Sequence, residues 1–141
     1  MTKPNVSIVL GSLYGDCGKG KILSYLALKD NPDIVARSGG PNCGHTVVYR
    51  DKIFTLNMLP SGLINENARL LLGAGSLIDS KKFLGEIEKY KVDPSRIGLD
   101  RRATLITADH IEEDTNSELS KKIGTTKCGI GPAQAGRAYR N

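Results

Sequence analysis

The sequence predicts an α/β fold, a mixed sheet with flanking helices, and three observations predict it. Short runs of aliphatic and β-branched residues alternate with segments whose apolar residues recur at the helical period. Several of the runs are closed by glycine-bearing turns, a common way for strands to end beside a helix. Neither an internal repeat nor a Pro/Ser-rich linker divides the chain, and its 141 residues fit one modest domain.

Taken in order, Val6 to Leu10 reads as a buried strand that stops at Gly11 and enters a loop. Ile22, Leu23, Leu26 and Ala27 then fall on one helical face, and Asn31-Pro32 ends that helix. Asp33 to Arg37 predicts a second strand, Ser38 to Gly44 an irregular turn, and Thr46 to Tyr49 another strand. A polar turn at Arg50-Asp51-Lys52 precedes the apolar run Ile53 to Leu56. Leu70-Leu71-Leu72 is a buried strand closed by Gly73-Ala74-Gly75. The helix that follows is capped by Asp79 or Ser80, carries Phe83, Leu84, Ile87 and Tyr90 on one face, and ends before Pro94. Ile97 to Leu99 and Ala103 to Thr107 are weaker strands. Asp109 to Lys122, with Ile111 and Leu119 as its apolar anchors, is a surface helix or a loop.

Composition narrows the function classes. Uninterrupted apolar stretches reach only four or five residues, against the roughly 20 that a membrane span needs, so no membrane segment is expected. Met1-Thr2-Lys3-Pro4 leads into a short apolar run without a secretory h-region or cleavage site, and a cytoplasmic protein is expected. Cys17, Cys43 and Cys128 form no C-x-x-C pair, which supports reduced thiols over a disulfide framework or a zinc ribbon. Twenty basic against fifteen acidic residues favour an anionic partner. The charge is dispersed and tryptophan is absent, so a small anion is expected in preference to a nucleic acid.

Three glycine-rich loops carry the chemistry. The first, Gly11 to Lys21, combines glycines that let backbone N–H groups approach an anion, a following helix whose positive end points the same way, and Lys19 and Lys21. Phosphate is its natural ligand. Gly15 to Lys21 satisfies G-x-x-x-x-G-K, but Ile22 stands where a P-loop has its magnesium-binding Ser or Thr. Asp16, a carboxylate among anion-binding groups, suits a metal or a proton. The second loop, Gly39 to Thr46, sets Asn42 and His45 on a turn, the one able to pair with an amide edge and the other to hold a proton near neutral pH. His110, in a polar segment, is expected to be solvated. The third loop, Gly124 to Pro132, offers Thr125 and Thr126, with Arg137 and Arg140 following at helical spacing and suited to phosphate. A threonine-capped helix start with a solvated basic face is the bland alternative there.

Together, Gly15-Asp16-x-Gly18-Lys19-Gly20-Lys21, Asn42-x-Gly44-His45-Thr46 and Gly124-Thr125-Thr126-x-x-Gly129-Ile130-Gly131-Pro132-Ala133 resemble the adenylosuccinate synthetase family in order and spacing. Ala68 to Gly75 and the short stretches between motifs resemble its compact archaeal-type members. The resemblance implies a P-loop-NTPase-like mixed sheet, with residues 1–141 forming the N-terminal portion of a larger synthetase domain whose guanine-base and aspartate pockets lie elsewhere. It also implies a GTP-dependent ligase of purine biosynthesis that phosphorylates O6 of IMP and then lets the amine of L-aspartate displace the phosphate.

Under that resemblance Asp16 takes the N1 proton and binds Mg²⁺, with the Gly44 carbonyl as a second metal ligand, and His45 donates a proton and steadies the transferring phosphoryl group. Gly15, Asp16, Cys17, Gly18, Lys19, Gly20 and Lys21, with Gly44, His45 and Thr46, hold GTP, and Lys19 also lies near the moving phosphoryl. Asp16, Lys19, Asn42, Cys43, Gly44, His45 and Thr126 meet IMP, and Arg140 reaches the IMP phosphate of a neighbouring subunit in a homodimer. Departures stand beside these matches. The family's usual Trp-Gly-Asp-Glu reads Tyr14-Gly15-Asp16-Cys17, its Asn-Ala-Gly-His reads Asn42-Cys43-Gly44-His45, and Gln134 replaces a common tyrosine. A variant that uses dGMP, as in phage relatives, and a non-catalytic nucleotide-binding fragment are the alternatives. All three cysteines fall in the three loops, where they are expected to be small residues that fill space, with a reactive thiol as the alternative.

Overall fold

The computed structural model describes residues 6–12 and 17–139, and of residues 119 and 120 it describes only the backbone. Its elements follow the order α1 (Lys19–Asp30), β1 (Ile34–Arg37), β2 (His45–Tyr49), β3 (Lys52–Leu56), β4 (Arg69–Leu72), β5 (Leu77–Ile78), α2 (Ser80–Tyr90), β6 (Ile97–Leu99), β7 (Thr104–Leu105), α3 (Ala108–Asn116), α4 (Glu118–Ile123) and α5 (Ile130–Tyr139). A parallel sheet in the order β1-β4-β6 is the centre, with Val35 opposite Leu70 and Leu70 opposite Ile97. β2 and β3 form an antiparallel hairpin, and β5 pairs parallel with β7. This is the α/β fold with flanking helices that the sequence predicts, but among the described residues the central sheet is parallel throughout rather than mixed, and the antiparallel pairing lies in the separate β2–β3 hairpin.

The period of two in β1 and β4 decides which face is the core. Leu72 is buried in a smaller cluster with Met58 and Ile78, while Val35 and Leu70 are buried and join Ala27 of α1, Val47 and Leu56 of the hairpin, Leu59, Leu63 and Val92. Phe83 and Ile87 of α2 pack on this cluster as their spacing predicts, whereas Leu84, expected beside them, is exposed. Tyr90 closes the end of α2: its ring lies 5.2 Å from that of Phe54, and its hydroxyl accepts from the Thr55 amide and donates to the Thr55 carbonyl. On the hairpin, Arg50 and Asp51 both have positive φ, the geometry of a tight two-residue turn that matches strand twist.

Two expectations are corrected. Val6 to Leu10 is not a buried strand: among the described residues no strand pairs with it, and Val6, Ile8 and Leu10 are exposed. An apolar β-branched run supplies propensity, but a strand needs a neighbour's hydrogen bonds and a covering layer. The second correction concerns α1, whose buried residues are Gly20, Ser24 and Ala27, while Ile22 is half exposed. The reason is closeness. A short 3₁₀ turn, Ser61–Ile64, lies against α1, so small residues face it: the Ser24 hydroxyl is 2.6 Å from the Gly20 carbonyl and 3.1 Å from the Ser61 carbonyl.

Candidate active site

The first loop ends where α1 begins. Gly18, at φ 74°, stands in the left-handed region that glycine enters without strain, and no side chain caps the helix behind it. The first turn carries no acidic residue, and the earliest helical bond shown there is from the Ile22 amide to the Gly18 carbonyl at 3.0 Å. The preceding amides have no partner inside the helix, and with the helix dipole they form a positive, donor-rich end. A cavity opens at this end, lined by Gly18, Gly20 and Lys21 from the first loop and by His45 and Thr46 from the second. The two motifs, separated in sequence by the rest of α1 and by β1, thus line one cavity.

Gly20 is what lets them meet. A Cβ there would lie 2.7 Å from His45 Cβ and 2.8 Å from its Cγ, so only hydrogen at position 20 allows the imidazole to pack on the helix start. His45 opens β2, and its Nδ1 lies 2.8 Å from the Ser61 hydroxyl, which is wholly buried. Ser61 belongs to the same 3₁₀ turn that packs on α1.

The second loop is held from behind. Arg37, at the end of β1, donates to the carbonyls of Leu59 at 3.3 Å, Gly40 at 3.4 Å and Cys43 at 2.6 Å. Burial pushes its guanidinium below the usual value, while the neighbouring Cys43 side chain and Glu86 carboxylate pull it back. Asn57 donates to the Pro41 carbonyl at 3.0 Å. The segment that carries Asn57 and Leu59 is itself fixed by Glu86 of α2. This buried carboxylate accepts from the amides of Asn57, Met58 and Leu59 at 2.5, 3.1 and 2.8 Å.

Other expected residues lie apart from the cavity. Lys19 does not line it: its ammonium donates to Cys17 Sγ at 3.1 Å, beside Gly11. Asn42 and Cys43 are exposed on the second loop. Thr126 is exposed on the third loop, and its carbonyl accepts from the Cys128 thiol. The third loop reaches the second through Ile130, whose side chain packs over Gly40. Its Gly129, at φ 69°, donates its amide to the buried Asp114 carboxylate at 2.9 Å. Arg137 is not poised for phosphate, since it donates to the Ala74 carbonyl and thereby ties α5 to the loop after β4. Nor is His110 simply solvated. It is half-buried, and its Nδ1 accepts from the Thr107 amide in a reciprocal cap of α3. Cys17, Cys43 and Cys128 are all free thiols.

Gly15, Asp16 and Arg140 lie outside the described residues. Among the described residues no group of three His, Cys, Asp or Glu side chains is placed to hold a metal. Mg²⁺ takes one or two hard oxygen ligands from protein and the rest from phosphate and water. The Asp16 carboxylate and the Gly44 carbonyl are oxygens of that kind. No described helix is long and apolar enough to cross a membrane.

Sequence reasoning about the loops passed over Ser61, Arg37, Asn57 and Glu86. A signal existed for two of them. Glu86 stands three residues after Phe83 and four before Tyr90, hence on the apolar stripe of α2, and Ser61 interrupts the apolar run Met58 to Ile64. A polar residue in such a place needs a partner.

Residues 8–141 match the family model for adenylosuccinate synthetase. The chain is 50% identical over 137 residues to an adenylosuccinate synthetase of Thermococcus sibiricus and 48% identical over 136 residues to one of Archaeoglobus fulgidus, covering 94% and 95% of this chain. It spans about 40% of the length of either relative. Among solved structures, fully ligated adenylosuccinate synthetase from Plasmodium falciparum superposes with a TM-score of 0.81 at 38% identity, over 93% of this chain and 32% of that one. The cyanophage S-2L succinoaminodeoxyadenylate synthetase, bound to dGMP and dATP, superposes with a TM-score of 0.77 at 30% identity, over 91% of this chain and 36% of that one. With two archaeal relatives near half identity and a family match that runs through all three glycine loops, the chain belongs to the adenylosuccinate synthetase family.

Proposed function

We propose that the protein carrying this chain is a GTP-dependent C–N ligase that joins IMP and L-aspartate to give adenylosuccinate in purine biosynthesis. Residues 1–141 supply the N-terminal portion of its synthetase domain, and the guanine-base and aspartate pockets come from elsewhere in the enzyme. The observation that carries this reading is the meeting of His45 with the uncapped start of α1 around one cavity. Phosphoryl transfer asks for little covalent chemistry from a protein and much positioning of charge, and an amide-rich helix end beside a lysine and an imidazole offers that.

In this reading Gly15 to Lys21, with Gly44, His45 and Thr46, hold the phosphates of GTP, and Lys19 swings from Cys17 toward the phosphoryl group. Asp16 removes the N1 proton of IMP, which makes O6 nucleophilic toward the γ-phosphorus, and GDP leaves. His45 steadies the charge on the transferring group. The amine of aspartate then attacks C6, phosphate departs, and adenylosuccinate forms. Asn42, Cys43 and Thr126 contact IMP, and Arg140 reaches the IMP phosphate of a neighbouring subunit in a homodimer. Mg²⁺, held by Asp16 and Gly44, would supply charge neutralisation at the phosphates when bound. The enzyme acts in the cytoplasm.

The test is an assay of adenylosuccinate formation from GTP, IMP and aspartate. His45→Ala and Asp16→Asn should each lower kcat by at least about 100-fold; undiminished turnover in either removes its role. A second reading, with dGMP as the nucleotide, is favoured by the likeness to the cyanophage synthetase. Turnover with dGMP exceeding that with IMP would establish it in place of the first.

A further inference from the structure

The Ser61 hydroxyl is wholly buried, and among the described residues its one side-chain partner is His45 Nδ1, at 2.8 Å. A neutral imidazole has one donor and one acceptor nitrogen, and a hydroxyl both donates and accepts. Two arrangements are therefore open. If Nδ1 carried the hydrogen it would donate to Ser61, and the serine's own hydrogen would be left buried with nowhere to go, at the cost of an unmet donor. If Ser61 donates to Nδ1, both groups are satisfied, and the ring hydrogen must sit on Nε2.

We propose that Ser61 is the positioning residue of His45: it fixes the neutral imidazole in the Nε2–H form, so that the ring meets an anion in the cavity as a hydrogen-bond donor. The inference deepens the role given to His45 and rests on it. Position as well as hydrogen is held. The Ser61 carbonyl accepts from Ser24 of α1, the Glu86 carboxylate grips the amides of residues 57–59 just upstream, and Gly20 leaves the ring one place to lie. Lys21 is the charged side chain that shares the cavity lining, so donors converge on it from both loops.

The experiment uses the purified protein labelled with ¹⁵N in histidine, read through two-bond ¹H–¹⁵N correlations at a pH well above the ordinary imidazole value of about 6.5. His45→Gln assigns the signals. His110 serves as an internal standard, because its Nδ1 accepts from a backbone amide and so must be the bare nitrogen. His45 should show the same pattern, Nδ1 bare and Nε2 protonated. Ser61→Ala should turn that into a mixture of tautomers with the amide spectrum otherwise preserved, and should lower kcat between about 3- and 10-fold, the reach of one neutral hydrogen bond, with KM for IMP unchanged. A protonated Nδ1 in the unaltered protein overturns the proposal. So does an unchanged His45 pattern in folded Ser61→Ala, or a change in KM alone. Should Ser61→Ala not fold, Ser61→Cys keeps the size with a weaker donor and takes its place, and the tautomer of the unaltered protein decides by itself. If the protein forms no adenylosuccinate, the ligase reading fails while the tautomer result stands on its own.

Discussion

Two helices of nearly equal length begin in opposite ways. α2 satisfies its own start: Asp79 accepts from the Lys82 amide at 3.1 Å, and the Lys82 ammonium lies 3.6 Å from the same carboxylate. α1 has a left-handed glycine where α2 has its aspartate, no side-chain cap, and no acid in its first turn. An N-terminal carboxylate stabilises a helix by answering its dipole and amides. Leaving it out costs stability and keeps those groups for something that is not protein. The contrast extends to the acidic side chains themselves, since the carboxylate of Glu86 in α2 serves amides of another segment and thereby supports the wall against which α1 and His45 pack.

Breaking that support should have the largest effect. Glu86→Ala leaves three amides without their acceptor, two of them on fully buried residues, and should cost about 3 kcal/mol in denaturant unfolding. A midpoint equal to that of the unaltered protein would show that the amides find other partners. Next come two glycines compared directly. Gly20→Ala forces a Cβ into His45 and should lose about 1–3 kcal/mol together with phosphate affinity. Gly85→Ala, in the middle of α2 with nothing within 4 Å, should gain about 0.5–1 kcal/mol and leave nucleotide binding alone. Equal effects at both positions would remove the close approach as the reason for Gly20. Asp79→Ala should then cost about 1 kcal/mol, the ordinary value of a cap, with GTP binding by calorimetry unchanged. The smallest effect concerns acid. Hydrogen bonds from Arg102 pull the Asp100 carboxyl down from 3.8 to about 2. A depressed folded value means the pair's contribution is complete above the unfolded value and fades as pH falls through about 2. Being exposed, Asp100→Asn should change the acid limb of a pH–stability profile only slightly and the neutral region not at all.

Much of this was legible in residues taken one stretch at a time. β4, α2 and the cap at Asp79 follow from period and composition, and the first two glycine loops, both expected at one site, do line one cavity through Gly18, Gly20, Lys21, His45 and Thr46. What resisted reading was whatever depends on a distant partner. Val6 to Leu10 has the residues of a strand, but pairing is decided by what lies alongside. The buried side of α1 follows from how near the 3₁₀ turn comes, so the small residues Gly20, Ser24 and Ala27 displace Ile22 from the stripe its hydrophobicity suggests. His110 and Arg137 carry chemistry suited to ligands and spend it on the Thr107 amide and the Ala74 carbonyl. A side chain's type states its capacity, and its neighbours decide the use.

One feature of the second loop bears on affinity. Arg37 reaches three carbonyls, at Leu59, Gly40 and Cys43, from a single planar group. A lysine, with one nitrogen at the end of a rotating stem, has no equivalent geometry. Immobilising a residue's backbone costs about 1–2 kcal/mol, and in residues 40–43 that loss is incurred when the chain folds. Under the proposed function, a nucleotide arriving at Asn42 and Gly44 would meet a surface already in shape, and its contacts would count toward binding instead of toward ordering the loop.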